Sequence, residues 1–392
     1  MSVETPGSQS ALREANRRRV LRAIRAAGSL TQAEIARATG LSAATVSNIV
    51  RMLRDDGTVV VTPISRGRRA QSVSLATATG MAIGVELGTS HIRAAVSDMA
   101  HRIHAEECIP YDVAHSASRS LRRVEWLVST LLRQVRFDRS RVRGVGVAVP
   151  GPVAAGTGQM VAATLMPNWR GVDIVGDLSD RLGMPVKVIN DAHASALGEM
   201  VAGAGRRLTD LVYLKLSSGV GAALILNGEL YTGIGGFAGE LGHITVNENG
   251  RICRCGNRGC LETVVGGPYL LDLLPRQNGE QPPTLRTLVD AALAGDLGSR
   301  RVIADAGRAV GSVAAILCNL LNPQRIIVGG ELAEAGNVLL APLRETLARQ
   351  TLPNSADLVQ VVPAEVGGRA AVIGALAVVV RSVEPGDDLV NP

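Results

Sequence analysis

Two stretches of this 392-residue chain share one plan. MAIGVELGTSHIRAAVSD, Met81–Asp98, reads as an apolar strand, a tight turn at Gly88 and a returning apolar strand. LVYLKLSSGVGAALILNGELYTG, Leu211–Gly233, repeats strand, glycine turn and strand. Alternating strands and helices follow the first stretch. GVGVAVPGPV is a buried strand running into a Pro-Gly turn, and VKVINDAHASALGEM is a strand that delivers Asn190 and Asp191 to the start of a helix. Such patterns bury a sheet under helices, and two sets imply two similar α/β lobes with a cleft between them. We place the lobes at residues 81–190, completed by a C-terminal helix near 366–382, and at 191–365. No stretch reads as an uninterrupted apolar span of membrane length. The 46% apolar and 19% charged residues match domains with buried cores rather than a disordered chain.

The basic charge is concentrated ahead of these lobes. Residues 1–75 hold twelve Arg, no Lys and five acids, a net +7, whereas the remaining chain carries 29 bases and 30 acids. This asymmetry points to an acidic partner such as nucleic acid. VLRAIRAAG spaces Val20, Leu21, Ile24 and Ala27 on one helical face. TQAEIARATG opens with Thr31 and carries Glu34 three residues later, the spacing of a reciprocal cap, and LSAATVSNIVRMLRDDG has Ser42 as its N-cap. Three short helices with a glycine turn between the second and third make a helix-turn-helix. Ser42, Ala43, Thr45, Ser47 and Asn48 suit a helix entering a major groove, and Arg51 suits a phosphate. TVVVTPIS and AQSVSLA read as strands of a wing whose tip carries Arg66, Arg68 and Arg69. The expectation for residues 1–75 is a winged helix-turn-helix on double-stranded DNA, with ATATG, residues 76–80, as linker.

CRCGNRGCLE, Cys253–Glu262, places three of five cysteines within eight residues. The N-terminus lacks the apolar run of a signal peptide, so we expect a cytoplasmic chain, where close cysteines bind metal more often than they form disulfides. Zinc is the leading candidate. Cys108 and Cys318 are expected to be buried.

The ordered series GVELGTSHIRAAV, GVAVPGPV, VINDAHASALGE, LSSGVGAALILNGELYTGIGGFAGELGH, CRCGNRGCLE and IIVGGEL resembles the ROK family (repressor, open reading frame, kinase) over roughly residues 80–380. The resemblance implies a two-lobed actin-like ATPase domain of the ribonuclease H-like class. It implies one structural zinc on His243, Cys253, Cys255 and Cys260, and a monosaccharide or sugar phosphate held by Asn168, Asn190, Asp191, Glu240, His243 and Glu262. Trp169 is expected to form an apolar wall near that ligand. With the basic head, the chain resembles a sugar-responsive regulator, released or modulated by its ligand and acting as a homodimer on an inverted repeat.

The alternative is an ATP-dependent sugar kinase with a DNA-binding arm. Asp191 stands at the family's catalytic base, and Mg-ATP would meet Glu86, Gly88, Ser218, Gly219, Gly221, Gly329 and Gly330. The family's kinases carry DxGGTK or DxGGTN in the first phosphate loop, whereas this chain has Glu86, Leu87, Gly88, Thr89, Ser90 and His91. A side chain at Thr89 crowds an anion on that loop. His193, where the family often has Asn, is given no role.

Overall fold

The computed structural model describes residues 9–27, 29–63, 71–75, 80–161, 166–274, 283–353 and 358–382. Helix α1 (Gln9–Ala27) begins well before the VLRAIRAAG stretch and buries Val20, Leu21 and Ile24. Strand β1 (Ser29–Thr31) leads into α2 (Gln32–Thr39), where Thr31 and Glu34 cap one another; the Thr31 amide donates to the Glu34 carboxylate at 2.8 Å. Helix α3 (Ala43–Asp55) is capped by Ser42, whose hydroxyl accepts from the Thr45 amide at 3.1 Å. Its buried stripe is Val46, Ile49, Val50 and Leu53. Strands β2 (Val59–Pro63) and β3 (Gln71–Leu75) pair antiparallel, and β1 joins the free side of β3. Three residues are too few for β1 to leave an alternating pattern in the sequence. The expected wing tip, with Arg66, Arg68 and Arg69, and linker residues 76–79 lie outside the described residues.

Beyond the linker, two sheets have one topology. The first holds β4 (Met81–Leu87), β5 (His91–Asp98), β6 (Ile103–Pro110), β7 (Val142–Val149) and β8 (Val186–Asn190), in the order β6-β5-β4-β7-β8. The second holds β9 (Leu211–Leu216), β10 (Val220–Leu226), β11 (Glu229–Tyr231), β12 (Arg325–Gly329) and β13 (Gln360–Pro363), in the order β11-β10-β9-β12-β13. In each, three strands form an antiparallel meander, the fourth lies parallel to the first, and the fifth parallel to the fourth. Parallel neighbours need long crossovers. The first lobe uses α4 (Ala117–Val135) and α5 (Ile174–Leu182), which cover one face of its sheet.

Helix α6 (Asp191–Ala202) follows β8, and the second lobe adds α7 (Glu262–Val265), α8 (Gly267–Leu271), α9 (Leu285–Leu293), α10 (Leu297–Leu321) and α11 (Asn337–Gln350). Period-two alternation along β9 sends Val212, Leu214 and Leu216 toward α9–α11 and Leu211 and Tyr213 to the other face. Helix α10 is long and apolar enough to cross a membrane, but it buries Ile303, Ala306, Val310 and Val313 in this core.

Helix α12 (Ala370–Ser382) packs with α6 between the two sheets. Val372, Leu376 and Val379 meet the first sheet, while Ala377 and Val378 join Leu211, Tyr213 and Ile327 of the second. The two helices touch backbone to backbone: a Cβ on Gly374 would stand 1.7 Å from the Ala194 carbonyl oxygen, so only glycine fits. Buried Glu199 ties the end of α6 to the approach to α12, accepting from the amides of Ala204 (2.7 Å), Glu365 (3.2 Å) and Val366 (2.8 Å). These charge-assisted bonds replace the water the carboxylate has lost. Cys318 is buried in α10, but Cys108, expected inside, is exposed because β6 is the edge strand of its sheet.

Candidate functional site

On α3, the stripe facing the core leaves Ser42, Ala43, Ser47, Asn48 and Arg51 exposed and Thr45 half-buried. The first turns present short side chains, so a partner can approach the helix backbone closely. Arg51 donates to the Asn48 side-chain oxygen at 2.9 Å, which sets both polar ends on one outer face.

The second site is the cleft. Its walls are the carboxyl ends of β4, β7 and β8, the β9–β10 turn and the start of α7, the place where open α/β sheets bind ligands. It holds about 840 Å³ of space, open mouth included. Asn190, Asp191, Glu240, His243 and Glu262 all line it, as do Glu86, Gly88, Ser218, Gly219 and Gly221. Gly329 and Gly330 do not; the residue after them, Glu331, does.

Asn168 is also absent from the lining. Its amide donates to the carbonyls of Ala114 (3.3 Å) and His115 (3.0 Å). Trp169 forms no wall of the cleft: it is fully buried in the first-lobe core, with its indole N–H on the Val113 carbonyl at 2.8 Å. A tryptophan whose N–H finds a partner inside gains more from complete burial than from lining a wet cleft. Asn190 caps α6, accepting from the amides of Ala192 and His193 and donating to the Gly151 carbonyl.

A residue missed in the sequence stands at the centre. The Lys215 ammonium donates to the Asp191 carboxylate at 2.7 Å. Burial opposes its charge, but the anions Asp191 and Glu86 outweigh burial and hold its pKa above the ordinary lysine value. Burial works against the Glu86 anion too. The His91 imidazole 3.6 Å away and the charges of Lys215 and Arg93 overcome it, so the Glu86 pKa lies below the usual range. Glu240 is the opposite case, pushed up to about 7 by burial and then by the Asp191 and Glu262 anions. Glu262 accepts from the Val220 amide at 3.3 Å, with Arg254 3.6 Å away. The cleft thus offers acceptors at Asp191, Glu240 and Glu262 and a fixed donor at Lys215, a set suited to vicinal hydroxyls. At the first glycine turn the His91 ring folds over Gly88, where a Cβ would lie 2.3 Å from the imidazole.

Behind Glu240 and Glu262 lies a His/Cys cluster with the donor set to hold a metal ion. One ligand atom from each of His243, Cys253, Cys255 and Cys260 falls within 4.8 Å of every other. Cys253 Sγ is 3.6 Å from His243 Nδ1, and Cys255 Sγ is 3.7 Å from Cys260 Sγ. A tetrahedral ion with metal–sulfur bonds of about 2.3 Å sets ligand separations near these. His243 turns Nδ1 to the sulfurs and Nε2 toward Glu240, at 3.9 Å, so one ring joins the cluster to the cleft. The loop is folded by short bridges between Thr245 and Cys260 and between Ile252 and Arg258. Gly259 is obligatory there: its φ is +66°, and a Cβ would fall on the Asn247 carbonyl.

The ROK family profile matches residues 82–382, and a winged helix-turn-helix DNA-binding profile matches residues 13–60. The DNA-binding transcriptional dual regulator NagC of Escherichia coli (strain K12) is 31% identical over 404 aligned residues, covering 97% of this chain and 98% of NagC. The xylose repressor of Bacillus subtilis (strain 168) is 26% identical, covering 95% and 96%. Among solved structures, a ROK family transcriptional regulator homologous to the E. coli MLC protein superposes with a TM-score of 0.77 at 26% identity, covering 95% and 96%. A ROK glucokinase from Streptomyces griseus, in complex with glucose and AMPPNP, gives 0.68 at 28% identity, covering 76% of this chain and 99% of the kinase.

Proposed function

This chain belongs to the ROK family, and we propose that it is a cytoplasmic, sugar-responsive transcriptional regulator, a repressor of carbohydrate uptake or catabolism genes. The winged helix-turn-helix binds an inverted-repeat operator as a homodimer. A monosaccharide or its phosphate, held by Asp191, Glu240, His243 and Glu262 with Lys215, shifts the lobes toward an arrangement that releases DNA. A ligand does this only by binding one arrangement more tightly than the other. The cluster metal is zinc, closed to catalysis by four protein ligands, and its work is to hold the loop that ends at Glu262.

The observation that carries this reading is the joining, in one chain, of a capped, exposed recognition helix and a cleft rich in hydroxyl acceptors. The second reading, a sugar kinase, is favoured by Asp191 on the cleft wall beside the Ser218–Gly219 turn. Against it, Asp191 is held by Lys215 rather than free to take a hydroxyl proton, and the His91 ring covers the loop that would receive phosphate. Calorimetric titration with a panel of monosaccharides and their 6-phosphates, with and without Mg-ATP, separates the two. The regulator reading expects one sugar to bind with ATP unconsumed; stoichiometric ADP release would establish the kinase.

A further inference from the structure

The first-lobe sheet has two ends. The carboxyl ends of β4, β7 and β8 face the cleft, and at the other end lies Gly80, where the lobe meets the linker. RQVRFDRSRVR, Arg133–Arg143, sits at that far end with five arginines and one acid. It spans the last turn of α4, a 3-10 turn and the start of β7. Arg133, Arg136, Arg139, Arg141 and Arg143 are all exposed, as is Arg102 on the adjacent β5–β6 turn. The one acid, Asp138, is used internally: its carboxylate accepts from the Ser140 amide at 2.9 Å, and this bond is the first cause of a pKa below the usual range. Arg141 lies over the Phe137 ring, 5.0 Å from its centroid. Because residues 76–392 hold 29 bases and 30 acids, this run is a local concentration of charge.

Its position matters as much as its sign. A Cβ built on Gly80 would lie 2.6 Å from Arg143 Cγ and 3.0 Å from the Arg141 carbonyl oxygen, so these arginines abut the residue that leaves the linker. Only residues 76–79 separate Gly80 from Leu75, the end of β3. An extended chain covers at most about 3.6 Å per residue, which tethers this end within roughly 18 Å of the wing sheet. One turn of duplex is about 34 Å.

We propose that the arginine end of the first lobe is a second DNA-contacting surface, gripping phosphates beside the site that α3 reads. The proposal rests on the DNA-binding reading above. Guanidinium groups suit phosphate oxygens, and such contacts add affinity and orientation but no base information. Since the surface belongs to the sugar-binding lobe, a lobe movement that lifts it weakens the complex without altering α3.

The test is the salt dependence of binding to DNA from the protein's own upstream region, for wild type, Arg136→Gln/Arg141→Gln and Arg119→Gln/Arg122→Gln. The last pair removes the same charge from the cleft end of α4, about 25 Å along the helix. Each lost phosphate contact flattens the slope of log K against log salt by about 0.9, so the first double variant should fall by about 1.8 while the second stays at the wild-type slope. Equal slopes in wild type and Arg136→Gln/Arg141→Gln, or the same loss in both variants, would overturn the proposal. Failure of wild type to bind any duplex would instead remove the DNA-binding reading beneath it.

Discussion

Lys215 stands in VYLKL, where strand alternation makes it one more residue of β9, and its partner Asp191 is 24 positions away on another element. Nothing local in the sequence signals that pair. Asp191, Glu240 and Glu262, each in a motif of its own, were expected at the cleft and line it, whereas Asn168 and Trp169 were expected there and do not, since PNWRG gives no sign of which way its side chains turn. Lys215→Met should weaken sugar binding by about tenfold or more, the scale of a lost charge-assisted hydrogen bond, and leave sugar-free DNA binding intact; calorimetry and anisotropy on one preparation check both. His193 supplies a pH dependence. Burial holds its pKa below 6.5, only partly offset by its bond to the Ala238 carbonyl and the Asp191 charge. A base with a depressed folded-state pKa stabilises above its unfolded pKa and costs stability as pH falls past it. The urea midpoint should therefore drop between about pH 7.5 and about pH 5.5, and His193→Asn should reduce that drop.

Capped elements were the most legible. The Thr31–Glu34 pair and Ser42 open α2 and α3 where the sequence places them, because a cap is a local interaction readable within four residues. Strand β1 and the early start of α1 escaped, since a three-residue strand and a polar helical turn leave no hydrophobic period. The cysteine loop combines both kinds of signal. Its ligands are local, but Glu262 reaches the cleft only if the loop between Thr245 and Leu261 holds its shape. Removing the metal with a chelator, or substituting Cys255→Ser, should release about one equivalent of zinc and lower sugar affinity. The isolated helix-turn-helix core of Ile35, Val46, Ile49 and Leu53 should be untouched, so helical content measured by circular dichroism should change little.

At the scale of the molecule, two similar α/β lobes were expected from two strand–glycine–strand stretches, with the C-terminal helix completing the first; the shared strand order and the place of α6 and α12 between both sheets were not. An all-apolar helix such as AAVIGALAVVV carries no periodic face to say that it serves both sheets. The α6–α12 layer is the mechanical joint between the two lobes. In the proposed function sugar binds between the lobes, the DNA head joins the far end of the first lobe, and any shift of one sheet against the other must pass α6 and α12. One ligand is expected to couple these two ends. Fluorescence anisotropy of the full-length protein on labelled upstream DNA, titrated with monosaccharides and their 6-phosphates, measures that coupling directly. We predict tight, salt-sensitive binding that one sugar weakens by about tenfold or more, with the effect lost in Glu262→Gln. Binding indifferent to every sugar, or weakened equally in wild type and Glu262→Gln, would contradict it.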